Sequence, residues 1–328
     1  MEKYRKVEFM KSKGVVFITG GTGFLGRNVA NFLKHEYTVI LSGRNNKLNQ
    51  KAREVTGCNV VPMDVCNIDA VRENFKIYKP DIVIHAAATK YVDLSEIFPN
   101  ECVDVNIRGS QNVARAAIDQ DISTVIGIST DKAAQPGNSI YGLSKATMER
   151  LFLRLNGQSG TRFLCTRFGN IAWSTGSVFP IWKSMLGTDG VIKATGIGMR
   201  RFLFSVENAS KIVIDAMESV DRLNGCILLK QMKSVEIKDL LAAFLGLYGG
   251  DYVQVAPRIG ESADEAMVSN NELPFVNKIN IGGADYLTLS LKKSDTFELP
   301  IQLDTSGVEM LSNSEIMDLI REPDYWFL

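Results

Sequence analysis

Short β-branched apolar runs alternate with helical patterns through the first half of the chain, and this rhythm limits the possible folds more than any single motif does. Residues 15–19 are apolar and end in glycines, and a helical pattern follows from Phe24 to about His35, with Leu25, Val29, Phe32 and Leu33 on one face. The alternation recurs as 38–41 and a polar helix, 60–63 and 68–78, 82–85 and 101–119, 124–129 and 140–155, then 162–168. Strands separated by whole helices pair in parallel, so the pattern predicts a parallel sheet with helices wound over both faces. Beyond Phe168 the rhythm breaks into glycine-containing loops, with helical stretches at 206–220, 235–245 and 313–320.

The turn after the first strand reads Thr19-Gly20-Gly21-Thr22-Gly23-Phe24-Leu25-Gly26. Placed between a strand and a helix, glycines at 20, 23 and 26 predict the opening of a Rossmann dinucleotide-binding domain. Gly20 permits the tight turn, Gly23 lets a pyrophosphate approach the backbone, and Gly26 lets helix and sheet pack closely; Thr22, Phe24 and Leu25 share the cradle. The second strand ends in Leu41-Ser42-Gly43-Arg44-Asn45-Asn46-Lys47, with no carboxylate for a ribose 2′-hydroxyl. Ser42, Arg44 and Lys47 are instead suited to a 2′-phosphate, which favours NADP over NAD. Asp64 and Val65 follow the third strand and are placed near the adenine, although Asp64 is equally suited to a turn or helix cap. Ala86, Ala87 and Ala88 follow the fourth strand, where small residues let a cofactor lie flat.

Composition narrows the rest. Lys+Arg and Asp+Glu both number 37, so no global field favours nucleic acid or an anionic membrane. Two histidines, His35 and His85, and five scattered cysteines exclude a histidine-rich metal site and suit reduced thiols. No run approaches the roughly 18–20 apolar residues of a membrane-spanning helix, and residues 1–13 lack the apolar core of a signal peptide. A soluble, cytoplasmic protein is expected. At 328 residues the chain exceeds the ~250–300 at which single cores stop growing. The expected class is therefore α/β: a doubly wound parallel Rossmann sheet over 14–170 and a smaller C-terminal, mainly substrate-binding region over 171–328, some segments of which return to the first domain.

The fifth strand runs into Ser129-Thr130-Asp131-Lys132, and Tyr141-Gly142-Leu143-Ser144-Lys145 follows on a predicted helix. Four residues apart, Tyr141 and Lys145 share a face. An ammonium beside a phenol favours phenolate, so Tyr141 can take a hydroxyl proton while hydride leaves the same carbon, with Thr130 holding the reacting oxygen.

These motifs resemble the extended short-chain dehydrogenase/reductases. More narrowly, the 129–136 segment Ser-Thr-Asp-Lys-Ala-Ala-Gln-Pro, Tyr141 to Lys145, the 85–90 segment His-Ala-Ala-Ala-Thr-Lys, and the Arg-Phe-Gly-Asn of 167–170 followed by Gly-Ser-Val-Phe-Pro at 176–180 resemble the UDP-N-acetylglucosamine 4,6-dehydratases of polysaccharide biosynthesis. Such an enzyme oxidises carbon 4, which acidifies the proton at carbon 5; a base removes that proton, an acid helps the 6-hydroxyl leave, and hydride returns to carbon 6. The resemblance implies Asp131 as the acid and Lys132 as the base, and Lys132 must then be neutral when it acts. It also implies that Asn106 supports the cofactor site architecturally and that the enzyme is a homo-oligomer built through helices flanking the site.

On the substrate side, Lys90 is expected at the cleft mouth, and Asn170, Ser177, Val178, Arg201, Arg258 and Glu261 around a UDP-activated amino sugar. The 258–265 segment Arg-Ile-Gly-Glu-Ser-Ala-Asp-Glu resembles the family's Arg-Pro-Gly-Glu-Lys-x-x-Glu, with Ile259 in place of Pro and Ser262 in place of Lys. Two other readings remain open at this point. A nucleotide-sugar 4-epimerase or 4-ketoreductase needs only Thr130, Tyr141 and Lys145, and a non-catalytic NADP-binding regulatory protein needs none of them.

Overall fold

In the computed structural model, which describes residues 12–256, 261–294 and 303–323, the apolar runs of the first half become six parallel strands. They are β1 (Val15–Thr19), β2 (Thr38–Gly43), β3 (Asn59–Pro62), β4 (Ile82–His85), β5 (Thr124–Thr130) and β6 (Arg162–Phe168). Beyond them come β7 (Asn170–Ile171), β8 (Val191–Thr195), β9 (Arg200–Phe204), β10 (Ile227–Leu229), β11 (Ser234–Glu236), β12 (Asp251–Val255), β13 (Val276–Ile281) and β14 (Ala284–Leu289). The central sheet has nine strands in the order β13-β14-β10-β6-β5-β4-β1-β2-β3. From β3 to β10 every pairing is parallel, and the two pairings at one edge, β10 with β14 and β14 with β13, are antiparallel. Three strands from beyond residue 170 thus complete the sheet of the N-terminal half.

The near-continuous apolar strands fit a sheet covered on both faces. Phe17, Ile18, Val83, Ile84, Val125, Ile126, Phe163 and Leu164 are all at most 1% exposed, each contributing ~1.5–3 kcal/mol by burial. Helices α1 (Phe24–Leu33) and α2 (Asn46–Thr56) follow the first two strands, and α3 (Ile68–Tyr78) follows the third. The helix expected over 101–119 is broken into three pieces. Short helices α4 (Val92–Ile97) and α5 (Pro99–Cys102) lead into a π-helical turn, Val103–Arg108, before α6 (Gly109–Asp119). Helix α7 (Ile140–Leu155) starts where Ser139 accepts from Gly142 N at 3.0 Å and Glu96 accepts from Ile140 N at 2.7 Å.

A second apolar core lies in the C-terminal half, built by α8 (Val178–Asp189), α11 (Ile237–Tyr248) and α12 (Asn313–Ile320), while α9 (Val206–Glu218) packs on α1 and the short α10 (Val220–Leu223) follows it. Phe179 and Phe244 stack at its centre with centroids 5.8 Å apart, and Trp173 and Trp182 pack around them. Phe24, the first residue of α1, belongs to this cluster as well, so the glycine-rich turn is anchored in both halves. Among the described residues no helix is long and apolar enough to cross a membrane.

Candidate active site

A cleft of ≈ 840 Å³ lies at the C-terminal ends of the parallel strands, where the strand order reverses on either side of β1. Open parallel sheets bind ligands at such a switch point. Gly20, Thr22, Gly23, Phe24, Leu25 and Gly26 all line it. Gly20 has φ 64° and a Cβ added there would stand 2.6 Å from Ala87 Cα; one at Gly26 would stand 2.5 Å from Gly21 Cα. Neither position has room for a side chain, and Gly20 also sits in the left-handed region. Helix α1 has Gly23 as its N-cap, with no side-chain cap and no acidic residue in its first turn. Its N-terminal amides therefore present their partial positive charge at the cleft, and the cradle fits a dinucleotide pyrophosphate.

Arg44, Asp64, Val65, Ala86, Ala87, Ala88 and Lys90 line the same cleft, whereas Ser42, Lys47 and Asn106 do not. Ser42 is 1% exposed within β2, and its Oγ has no hydrogen-bond partner among the described residues; the strand pleat turns it away from the ligand side. Lys47 is exposed in the first turn of α2. Arg44 alone of the three stands at the cleft, donating to Glu101 Oε1 at 2.6 Å. That pair is about half exposed on each side, so it is worth at most ~1 kcal/mol and yields readily to a better anion. Asp64 serves a turn, its Oδ1 accepting from Cys66 N at 2.9 Å, while still bordering the cleft. Asn106 is buried behind the site in the π-helical turn, accepting from Thr89 N at 2.8 Å and donating to Thr89 O at 3.2 Å and Ser144 Oγ at 2.9 Å. It shapes the site without facing it.

Thr130, Lys132, Tyr141 and Lys145 line the cleft, as does Ser129. Asp131 does not: its side chain is fully buried behind Thr130 and Lys132. Its Oδ1 accepts from Thr130 Oγ1 at 2.8 Å and Lys132 Nζ at 3.2 Å, and its Oδ2 has no partner among the described residues. Lys132 Nζ also lies 3.4 Å from Glu265 Oε1, an oxygen that Arg201 Nε approaches at 3.8 Å. Burial opposes the Lys132 charge, but Asp131 and Glu265 outweigh it and hold the amine above its ordinary pKa. To act as a base, Lys132 must therefore first lose a proton that these two carboxylates favour. For Tyr141, burial pushes the phenol up to about 12, and Lys132 leads the groups that pull it back, followed by a hydrogen bond with Thr130. Lys145 is buried with its Nζ 3.5 Å from Met148 Sδ, and desolvation brings it down to about 8. His85, hydrogen-bonded to Thr19 Oγ1 and Ser110 Oγ at 2.7 and 2.9 Å, is lowered by burial to about 3 and is a neutral structural residue.

A second cavity of ≈ 210 Å³ adjoins the first, with Asn170, Ile171, Gly176 and Ser177 lining both. Val178, Arg201 and Glu261 border it too, so these five substrate-side candidates converge from β7, β9, the start of α8 and the C-terminal segment, and Lys90 borders the larger cleft. Arg258 lies outside the described residues. Lys193 and Trp182 also line this cavity, and they went unmarked in the sequence because both lie beyond the 176–180 motif, in β8 and further along α8. Glu265 went unmarked as well, although it closes the very segment read for Glu261.

The family described as "Polysaccharide biosynthesis protein" matches residues 16–280. A Campylobacter jejuni protein named UDP-N-acetylglucosamine 4,6-dehydratase (inverting) is 32% identical over 271 residues, covering 80% of each chain. A Rickettsia felis protein named UDP-glucose 4-epimerase is 30% identical over 332 residues, covering 94% of this chain and 96% of its own. Among solved structures, Pen from Bacillus thuringiensis superposes with a TM-score of 0.85 at 26% identity, over 96% of this chain and 98% of that one.

Proposed function

Because this chain belongs to the polysaccharide biosynthesis protein family, we propose that it is a nucleotide-sugar 4,6-dehydratase whose substrate is UDP-N-acetylglucosamine. The observation that carries this reading is the acid–base set around Lys132. Asp131 and Glu265 flank its amine beside Thr130, Tyr141 and Lys145, more proton-handling groups than hydride transfer alone requires.

A nicotinamide nucleotide held by the glycine-rich turn at Gly20, Gly23 and Gly26 would supply the redox chemistry at carbons 4 and 6. The chain's own residues handle protons and position. Thr130 and Tyr141 hold the 4-hydroxyl, and Tyr141, with Lys132 favouring its phenolate, takes the hydroxyl proton. Lys132, on the cleft wall, is assigned the carbon 5 proton. Asp131, set behind that wall, is the acid assigned to the departing 6-hydroxyl, which it reaches through Thr130, whose Oγ1 donates to its Oδ1 at 2.8 Å. Asn170, Ser177, Val178, Arg201 and Glu261 receive the nucleotide diphosphate and sugar in the smaller cavity.

In the same reading the cofactor is NADP, with Arg44 as its 2′-phosphate partner and Ser42 and Lys47 without a part in the choice. Leu94, Ile97, Phe98, Val103 and Leu143, all 43–65% exposed on the elements flanking the site, support a homo-oligomer formed through that face.

Incubation with UDP-N-acetylglucosamine and no added reductant tests the reaction by mass. A product lighter by one water supports it. A product of unchanged mass but altered configuration favours the 4-epimerase reading, which the end-to-end match to the Rickettsia felis relative keeps in play.

A further inference from the structure

We propose that Glu265 is the positioning residue and proton acceptor through which Lys132 acts as a base, an inference that rests on the dehydratase reading. A base needs a lone pair, yet Lys132 is an ammonium clamped between two carboxylates, Asp131 Oδ1 at 3.2 Å and Glu265 Oε1 at 3.4 Å. One of its protons must leave before it can act. Asp131 Oδ1 is already engaged by Thr130, which commits that carboxyl to the departing hydroxyl. Glu265 carries no such commitment.

Its placement supports the role. The main chain of Glu265 is fixed on both sides by the returning C-terminal segment: its N–H donates to Thr305 Oγ1 at 3.1 Å and its carbonyl accepts from Thr305 N at 2.8 Å. The carboxylate is 10% exposed and does not line the cleft, so it meets the substrate only through Lys132. The charged and titratable groups facing the pair are Asp131 from the turn after β5, Tyr141 from α7 and Arg201 from β9. Burial raises the Glu265 carboxyl above its ordinary value and Asp131 adds to this, while Lys132 and Arg201 oppose it. The buried site therefore accommodates a neutral carboxylic acid better than water does.

The step balances as follows. A Lys132 N–H bond breaks and an O–H bond forms on Glu265. The freed amine takes the proton from carbon 5, whose C–H electron pair moves into the enolate of the 4-ketone. Lys132 ends as the ammonium it was, and Glu265 ends neutral. When Lys132 later gives up a proton, Glu265 returns its own and the ion pair is restored.

The test compares wild type, Glu265→Gln and Glu265→Asp with UDP-N-acetylglucosamine, measuring kcat, KM and the absorbance of reduced nicotinamide during turnover. Gln keeps the shape but cannot accept the proton. Its kcat is expected to fall ~100-fold or more with KM changed less than about threefold, and reduced cofactor should accumulate because oxidation at carbon 4 proceeds and elimination stalls. Asp is expected to recover at least about tenfold of the loss; it also carries the test should Gln fold poorly. Unchanged kcat in Gln, or a loss without accumulated reduced cofactor and without rescue by Asp, overturns the assignment. Wild type that releases no dehydrated product overturns the dehydratase reading itself, and this inference with it.

Discussion

Asn106 donates to Ser144 Oγ at 2.9 Å while holding both backbone groups of Thr89, so one buried amide ties the loop after β4 to the helix that carries Tyr141 and Lys145. Ser144 in turn donates to Tyr141 O at 2.7 Å. The π-helical turn aims Asn106 at both elements. Asn106→Ala leaves the Thr89 amide and carbonyl without their partner, and a destabilisation of ~2–3 kcal/mol is expected from unmet buried groups. The expected loss in kcat is ~10–100-fold, because Tyr141 loses its register against the cofactor side. Denaturant titration and steady-state kinetics on the same preparation check both.

Lys145 illustrates a conflict between stability and function. Its folded pKa of about 8 lies below the ordinary lysine value because burial penalises the charge. Between roughly pH 8 and 10.5 the unfolded chain binds the extra proton, so stability rises with pH across that window, and below it the full cost of about 3 kcal/mol is present. Lys145→Met should therefore be more stable than wild type at pH 7, should lose this rise, and should be nearly inactive. Thermal melts from pH 7 to 10 decide the first two points.

Arg167 is fully buried, and it braces α7 from behind through Glu149. Its guanidinium meets both oxygens of Glu149 at 2.9 and 2.6 Å, both oxygens of Glu272 at 3.0 and 2.9 Å, and Met267 O at 3.0 Å. Arg167→Met strands two buried carboxylates, and a loss of ~3–5 kcal/mol is expected. Glu149→Gln should cost less, since Glu272 continues to balance the charge. Urea midpoints at neutral pH give the comparison.

In the proposed reading, NADP preference rests on Arg44. Arg44→Ala should weaken NADP binding by ~10-fold or more while leaving NAD within about twofold, as expected for loss of a charge-assisted contact. Ser42→Ala and Lys47→Ala should leave the ratio of the two affinities unchanged. Calorimetric titration with each nucleotide tests all three variants.

Much of this site was legible in the sequence because the parallel sheet gathers residues that follow strand ends. Gly20, Asp64, Ala86, Thr130 and Asn170 each stand at or just past the end of a strand, and the order of those strands brings them to one edge. Tyr141 and Lys145 were legible from helical spacing. Ser42 was misplaced because side chains in a strand alternate in direction, and the chain alone does not show which direction faces the ligand. Asp131 and Lys132 are neighbours in the 3-10 turn just past β5, one behind the wall and one on it. Glu265 depends on a contact spanning 133 positions of sequence, from a segment held by Thr305, and no local pattern encodes such a contact. The second core formed by Trp173, Phe179 and Phe244 is likewise a product of tertiary packing.

Proton NMR of the reaction with UDP-N-acetylglucosamine in deuterated water tests the central claim most directly. The account predicts a new methyl signal on a sugar that has lost one water, with deuterium at carbon 5, without any external reductant. An unaltered sugar contradicts it, and so does loss of water that yields an exocyclic methylene and no methyl, because hydride would then have failed to reach carbon 6.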